Sequence, residues 1–183
     1  MAKKVLVAIA EGSEELEAVS IVNVLRRAGV SVTIASVSTR QVKCSRGVNL
    51  VADKLIGDCV NENYDMIAIP GGLPGAYNLR DSAQLKEMLL KQKKENRYYA
   101  AVCASPAVVF QTHGLLEGHQ ATCYPSFSKD LKDFSTSTVV VDGYCVTSQG
   151  PGTSLEFSLK LVELLCGLDK AKEIAGNMLI KYE

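Results

Sequence analysis

The sequence predicts a doubly wound α/β sandwich, a mostly parallel central sheet with helices on both faces. Three observations predict it. The runs "KKVLVAIA", "MIAI" and "YYAAVC" are continuously apolar, as strands buried on both faces are. Helical, amphipathic stretches alternate with these runs along the chain. Hydrophobic residues make up 47% and charged residues 22% of 183 residues, an ordinary globular balance. That length suits one domain, read as 1–183, which buries roughly two-thirds of its unfolded surface without needing staples.

"KKVLVAIA" is the first strand. In "EGSEELEAVSIVNVLRRAGV", Ser13 is read as the N-cap of a helix, with Glu14 and Glu15 in its first turn. Leu16, Val19, Val22, Val24 and Leu25 form its apolar stripe; Arg26 and Arg27 close it and Gly29 ends it. "VSVTIASV" is the second strand, completing a βαβ unit. "YDMIAIPGGLPGA" runs from a strand into a Gly-Pro turn. "DSAQLKEMLLKQKKEN" follows as a helix, with Lys91, Lys93 and Lys94 read as a solvated last turn favoured by the helix dipole. After the strand "YYAAVC", a helix opens at Ser105-Pro106. "VVVDGYCVTS" is a hairpin turning at Asp142-Gly143. "TSLE" at Thr153–Glu156 matches a capping box for a helix reaching about Cys166, and "DKAKEIAGNMLIKY" is a final helix.

Composition narrows the function. Formal net charge is zero, which argues against dedicated nucleic-acid or membrane-surface binding. The opening apolar run is too short to span a bilayer and lacks an export pattern, so a cytoplasmic protein with reduced thiols is expected. None of the six cysteines forms a C-x-x-C pair, and no metal or cofactor motif is present; neither is expected.

In a doubly wound sheet, ligands sit at the carboxyl ends of the parallel strands. Three stretches fall there: "AEGSEELE", "PGGLPGA" and "CASP". A strand-to-helix junction presents Cys103 as a nucleophile elbow presents its serine, and a helix N-terminus favours thiolate. Position alone leaves two readings of Cys103, a reactive thiol or a small buried filler. Glu17, one turn into the first helix, either faces solvent or reaches across the strand ends. Beside a thiolate it coexists comfortably only if its carboxyl keeps its proton, which is also the state general acid–base work needs. Gly71-Gly72 frees backbone amides, so Gly72 and Ala104 N–H groups fit an oxyanion hole; an ordinary tight turn is the alternative. The two histidines, His113 and His119, are poorly placed to serve as a base, which disfavours a Cys-His protease.

The motifs "GSEELEAV", "PGGLPGA", "AAVCASPAVV", "ATCYPSF" and "VTSQGPGTSLEF" together resemble the ThiJ/PfpI superfamily, in the branch of the parkinsonism-associated deglycase. The resemblance covers essentially the whole chain. It implies a flavodoxin-like sandwich and a homodimer. It also implies Cys103 as the reactive cysteine and Glu17 as the protonated glutamate bonded to it. Gly72 and Ala104 match the amides around the pocket, and Cys44 a secondary cysteine near the dimer interface. Arg46 and Arg27 match basic positions near the pocket or interface. Two departures stand out: Tyr124 replaces a histidine common in the family, and Ser105 follows "CA" where glycine or alanine is usual. Ser105 fits a cap for the helix opened by Pro106. The activity implied is glutathione-independent conversion of methylglyoxal to lactate and glyoxal to glycolate, or hydrolysis of early glycation adducts on protein or nucleotide. The alternative is a redox-sensing, chaperone-like protein using the same oxidisable cysteine.

Overall fold

The computed structural model describes residues 2–182. The chain opens with β1 (Lys4–Ile9), α1 (Glu15–Arg27) and β2 (Ser31–Ser36). A short arm follows, β3 (Gln41–Lys43), β4 (Asn49–Val51) and β5 (Lys54–Leu55). The middle is β6 (Met66–Ile69), α2 (Gly75–Arg80), α3 (Ala83–Lys94) and β7 (Tyr98–Val102). The last elements are β8 (Val139–Asp142), β9 (Cys145–Ser148), α4 (Ser154–Cys166) and α5 (Leu168–Asn177). The central sheet runs β5-β2-β1-β6-β7-β9-β8, and β3 and β4 pair separately as an antiparallel hairpin. Every pairing in the central sheet is parallel except β8 with β9. The chain leaves β1 toward β2 and returns on the other side as β6, so strand order reverses between β1 and β6. That reversal opens a crevice at the strands' carboxyl ends.

The apolar runs are continuous because both sheet faces are covered. Along β1, Val5, Val7 and Ile9 join one core with Ile21, Leu25, Phe157 and Leu161 of α1 and α4. Leu6 and Ala8 join the other, with Leu79, Leu85 and Phe110. Successive side chains of one strand thus feed opposite cores, the period-2 rule with no solvent-facing side.

Several local expectations yield to tertiary hydrogen bonds. Ser13 does not cap α1: Glu14 occupies the N-cap without a side-chain bond, and the Ser13 hydroxyl accepts the Ala10 N–H at 3.0 Å, closing the turn after β1. Thr153 and Glu156 do not form a capping box. The Thr153 hydroxyl accepts the Gly150 N–H at 3.1 Å, and Glu156 accepts the Thr138 hydroxyl at 2.7 Å. The segment after Cys103 is not an α-helix but a π-helical stretch, Pro106–Gln111. Lys93 is not merely solvated; its ammonium donates to the Gly114 and Leu115 carbonyls at 2.9 and 3.2 Å, in the turn after that stretch. The final helix stops at Asn177, and Leu179 takes φ 60° just beyond it. The hairpin at Asp142-Gly143 forms as expected, with Asp142 paired to Cys145.

The β1–α1 turn packs against the β6–α2 turn backbone to backbone. A methyl group on Gly75 would fall on the Ser13 backbone nitrogen, and one on Gly72 on the Glu14 nitrogen. Alanine favours helices by up to ~1 kcal/mol over glycine, yet Gly75→Ala is expected to destabilise the fold by roughly 2–4 kcal/mol, because backbone cannot yield to the added carbon. Gly176→Ala, in α5 with open space around it, is expected to stabilise by about 0.5–1 kcal/mol. Urea unfolding of the two variants checks both signs; similar effects from the two would contradict the packing.

Candidate active site

Three chain segments converge where strand order reverses. Cys103 directly follows β7 at φ 66°, a left-handed conformation that turns the chain sharply and lifts the thiol above the sheet. Its backbone is held on two sides: its N–H donates to Ser148 O at 3.0 Å, and its carbonyl accepts the Tyr124 N–H at 2.7 Å. Gly71 passes directly beneath. A Cβ there would lie 2.6 Å from the Cys103 Cβ, so only glycine fits. From α1, the fully buried Glu17 reaches across and accepts the Gly71 N–H through Oε2 at 2.6 Å.

Glu17 Oε1 is buried with no hydrogen-bond partner of good geometry among the described residues. The group it faces is the Cys103 thiol, close enough for each to shift the other's proton affinity. Burial raises the Glu17 carboxyl to about 7, against the opposing pull of the Gly71 N–H and the thiol. Burial also raises the Cys103 thiol, to about 12, and a charged Glu17 adds to the rise. The nearby Gly72 and Ala104 N–H groups oppose it.

Two expectations change here. The helix-terminus effect does not lower the thiol: the helical stretch it opens is one six-residue π turn, and desolvation together with Glu17 outweighs it. The Gly72 and Ala104 amides, expected as an oxyanion hole, already act on the thiol in the free protein and oppose its rise. Above about pH 7 and below about 12, the pair holds one proton between two atoms. The tautomer with the proton on Oε1 leaves a thiolate facing two amides and a carboxyl donor.

The thiol opens into a cavity of about 510 Å³ lined by Glu14, Arg46, Gly72, Cys103, Ala104 and Tyr124. Arg46 and its neighbour Ser45 come from the loop between β3 and β4, and α1 anchors that loop. The Glu15 carboxylate accepts the Arg46 N–H at 3.0 Å, and Glu14 accepts the Ser45 hydroxyl at 2.6 Å. Despite burial, which raises it, Glu15 lies below its ordinary carboxylate pKa because amide donors surround it. The run "EELE" therefore splits three ways: Glu14 to the cavity wall, Glu15 to the loop and Glu17 to the thiol. Neither Glu14 nor Ser45 stood out in the sequence, since the loop that brings them together spans two three-residue strands.

The other expected positions separate. Tyr124 walls the cavity, its ring lying against Gly150. Arg27 does not reach the thiol; it lines a second cleft of about 470 Å³ on the outer face of α1, with Val19, Leu50 and Val51. Cys44 is buried at the start of the β3–β4 loop, its thiol raised to about 11 by burial and the nearby carboxylates of Glu15, Glu14 and Glu11. Ser105 does not cap the following turn; its hydroxyl donates to the Pro70 carbonyl at 2.6 Å. His113 bonds the Arg80 carbonyl at 2.9 Å and His119 lies 3.5 Å from Asp142, so neither lines the cavity. Among the described residues, no group of three or more His, Cys, Asp or Glu is arranged to hold a metal ion.

An elbow cysteine facing a buried glutamate, on a doubly wound sheet, defines a thiol-centred site of the ThiJ/PfpI kind. Residues 3–164 match the DJ-1/PfpI family, and the chain belongs to it. It is 46% identical to protein DJ-1 homolog B of Arabidopsis thaliana over 98% of its own length, and spans 42% of that longer protein. It is 35% identical to the glutathione-independent glyoxalase DJR-1.2 of Caenorhabditis elegans, over 90% of this chain and 89% of that one. Among solved structures, oxidized Toxoplasma gondii DJ-1 matches with a TM-score of 0.97 and 52% identity, over 99% of this chain and 100% of that one. The fold is accordingly the flavodoxin-like α/β sandwich of that family. Among the described residues no helix is long and apolar enough to cross a membrane.

The raised Glu17 pKa has a thermodynamic consequence. A carboxyl at about 7 when folded and 4.5 as the free reference binds its proton more tightly in the fold. Its contribution is fully present below pH 4.5 and is lost as pH rises through 7. Glu17→Gln, which cannot ionise, is expected to stabilise the protein at pH 8 by up to roughly 3 kcal/mol and to change it little at pH 4. Urea midpoints at the two pH values check this; an equal effect at both would show that Glu17 is not held protonated by burial.

Proposed function

We propose that the protein is a glutathione-independent glyoxalase acting on methylglyoxal and glyoxal, with hydrolysis of early glycation adducts on protein or nucleotide as the same chemistry on a larger substrate. The observation that carries this reading is a thiol lining a cavity that opens to solvent, with a fully buried carboxyl beside it whose pKa burial raises to about 7. The similarity to a named glyoxalase supports it. In the proposed reaction the Cys103 sulfur attacks the aldehyde carbon of methylglyoxal, and Glu17 gives its proton to the resulting oxygen, forming a hemithioacetal. Glu17 then removes the hydrogen on that carbon and returns it to the neighbouring one through an enediol, leaving a lactoyl thioester. Water cleaves the thioester, releasing lactate and restoring the thiol. The Gly72 and Ala104 amides, which hold the sulfur before attack, lie beside the carbon it bonds and serve the developing oxyanion there.

The same site supports a second reading, a redox sensor with chaperone-like action, favoured by the oxidized state named for the T. gondii relative. All six cysteines are free, which fits a cytoplasmic location. The cleft bearing Arg27 suits a second copy of the chain. Val19 and Val51 are 48% and 64% exposed beside it, and two-fold pairing would cover both sets at once.

Methylglyoxal-to-lactate turnover with glutathione rigorously removed tests the first reading. Cys103→Ala is expected to abolish turnover and Glu17→Gln to lower it by at least about a hundredfold. Lactate formation that survives Cys103→Ala refutes it. The redox reading is tested on the same preparations by intact mass after mild peroxide: two oxygens on Cys103 alone favour a tuned sensor, and even oxidation of all six thiols counts against one. For the dimer, Val51→Glu is expected to convert the species seen by size-exclusion chromatography with light scattering to monomer. A monomeric unmodified protein would overturn that assembly.

A further inference from the structure

Ser105 is fully buried, immediately after the two residues that form the elbow, and its hydroxyl is not spent on the local helical turn. It reaches instead across 35 positions of sequence to the Pro70 carbonyl at 2.6 Å. Pro70 is the residue before Gly71 and Gly72. The Gly71 N–H holds Glu17 Oε2 at 2.6 Å, and the Gly72 N–H faces the Cys103 sulfur. Gly71 is itself wedged under the elbow, with its missing Cβ position 3.0 Å from the Ala104 nitrogen. One side-chain bond thus ties the element that carries the thiol to the turn that supplies amides to both members of the pair.

We propose that Ser105 is a positioning residue: by holding the Pro70 carbonyl it keeps the Gly71 and Gly72 amides trained on Glu17 and Cys103, and so sets the pH at which the thiol becomes reactive. The direction follows from the charges. Each amide stabilises an anion, the Glu17 carboxylate or the Cys103 thiolate. Slackening the turn therefore raises the proton affinity of both groups together. Of the other groups around the pair, Glu14 also touches this turn, its N–H donating to the Gly71 carbonyl at 2.9 Å. Glu14 approaches from the turn before α1, Arg46 from the β3–β4 loop with its side chain 81% exposed, and Tyr124 from the segment over Gly150.

The proposal concerns the thiol and stands whichever reaction the site performs. Its test is the rate of Cys103 alkylation by iodoacetamide, resolved by peptide mass spectrometry from pH 5 to 10, in the unmodified protein, Ser105→Ala and Ser105→Gly. The expected result is that the midpoint near 7, where the pair loses its first proton, rises by about half a pH unit or more, so that the rate near pH 6 falls roughly threefold while the plateau above pH 9 is unchanged. Ser105→Gly removes the hydroxyl without adding an atom and keeps the test available if the alanine variant does not fold. A lowered melting temperature with an unmoved midpoint, in either folded variant, would make Ser105 a packing residue and overturn the proposal. A fallen plateau with an unmoved midpoint would report altered access to the thiol and would overturn it as well.

Discussion

Where the β1–α1 and β6–α2 turns meet the end of β7, the three backbones touch with no side chain between them, and the site's other features depend on that approach. A Cβ at Gly71 would strike Cys103, and one at Gly72 or Gly75 would strike the Ser13–Glu14 backbone. The approach removes water from the floor of the crevice. It also brings amide N–H groups within reach of two side chains that the sequence places 86 residues apart. Without it, Glu17 would be one more surface carboxylate on the first turn of a helix and Cys103 one more free thiol.

Removing that water decides the electrostatics. A helix terminus offers a thiol a modest stabilisation, typically ~0.3–1 kcal/mol and at most ~2 when partly buried. Burial of a carboxyl or thiol shifts its pKa by several units, each unit about 1.4 kcal/mol. Here burial wins for both groups, and both rise. The consequence is not a simple low-pKa thiolate but a one-proton pair, in which a thiolate exists whenever the proton sits on Glu17. The amides do not overturn the burial penalty; they reduce it on both atoms. Because Oε1 has no competing partner, the carboxyl proton has one neighbour to offer itself to, the sulfur.

Much of this architecture was legible in the sequence, and the exceptions share a cause. β1, β6 and β7 are apolar on both faces, so composition alone marks them as interior parallel strands. Cys103 follows β7 directly and Glu17 follows β1 by one helical turn, so topology puts them together. The β3–β4 hairpin was not legible: "QVK" and "NLV" are too short to show a period, and their pairing is fixed by Glu15 reaching the loop from another element. Ser13, Ser105 and Thr153 each sit where a local rule assigns a helix cap, and each hydroxyl instead serves a turn or a distant carbonyl. Local propensity is worth about 1 kcal/mol at a cap, and a buried group left unsatisfied costs as much or more. Tertiary demand therefore decides. The direction of the thiol's shift was missed for the same reason, since desolvation depends on how many atoms crowd the group, which sequence spacing does not record.

The two histidines bear on what kind of chemistry this crowding permits. His113 is tied to Arg80 and His119 lies beside Asp142, both outside the cavity, so among the described residues Glu17 is the titratable group next to the thiol that can carry a proton near neutral pH. A base of that kind cannot be made stronger without making it harder to keep buried. Each unit by which burial raises Glu17 improves its match to neutral pH as acid and base, and takes about 1.4 kcal/mol from the fold above that pH. The Gly71 amide limits the penalty by bonding the carboxylate. The thiol limits it by donating its own proton toward the carboxylate. The position of Glu17 near 7 is then a balance between desolvation on one side and the Gly71 amide and Cys103 thiol on the other, and Ser105 ties the turn that carries that amide to the element that carries that thiol.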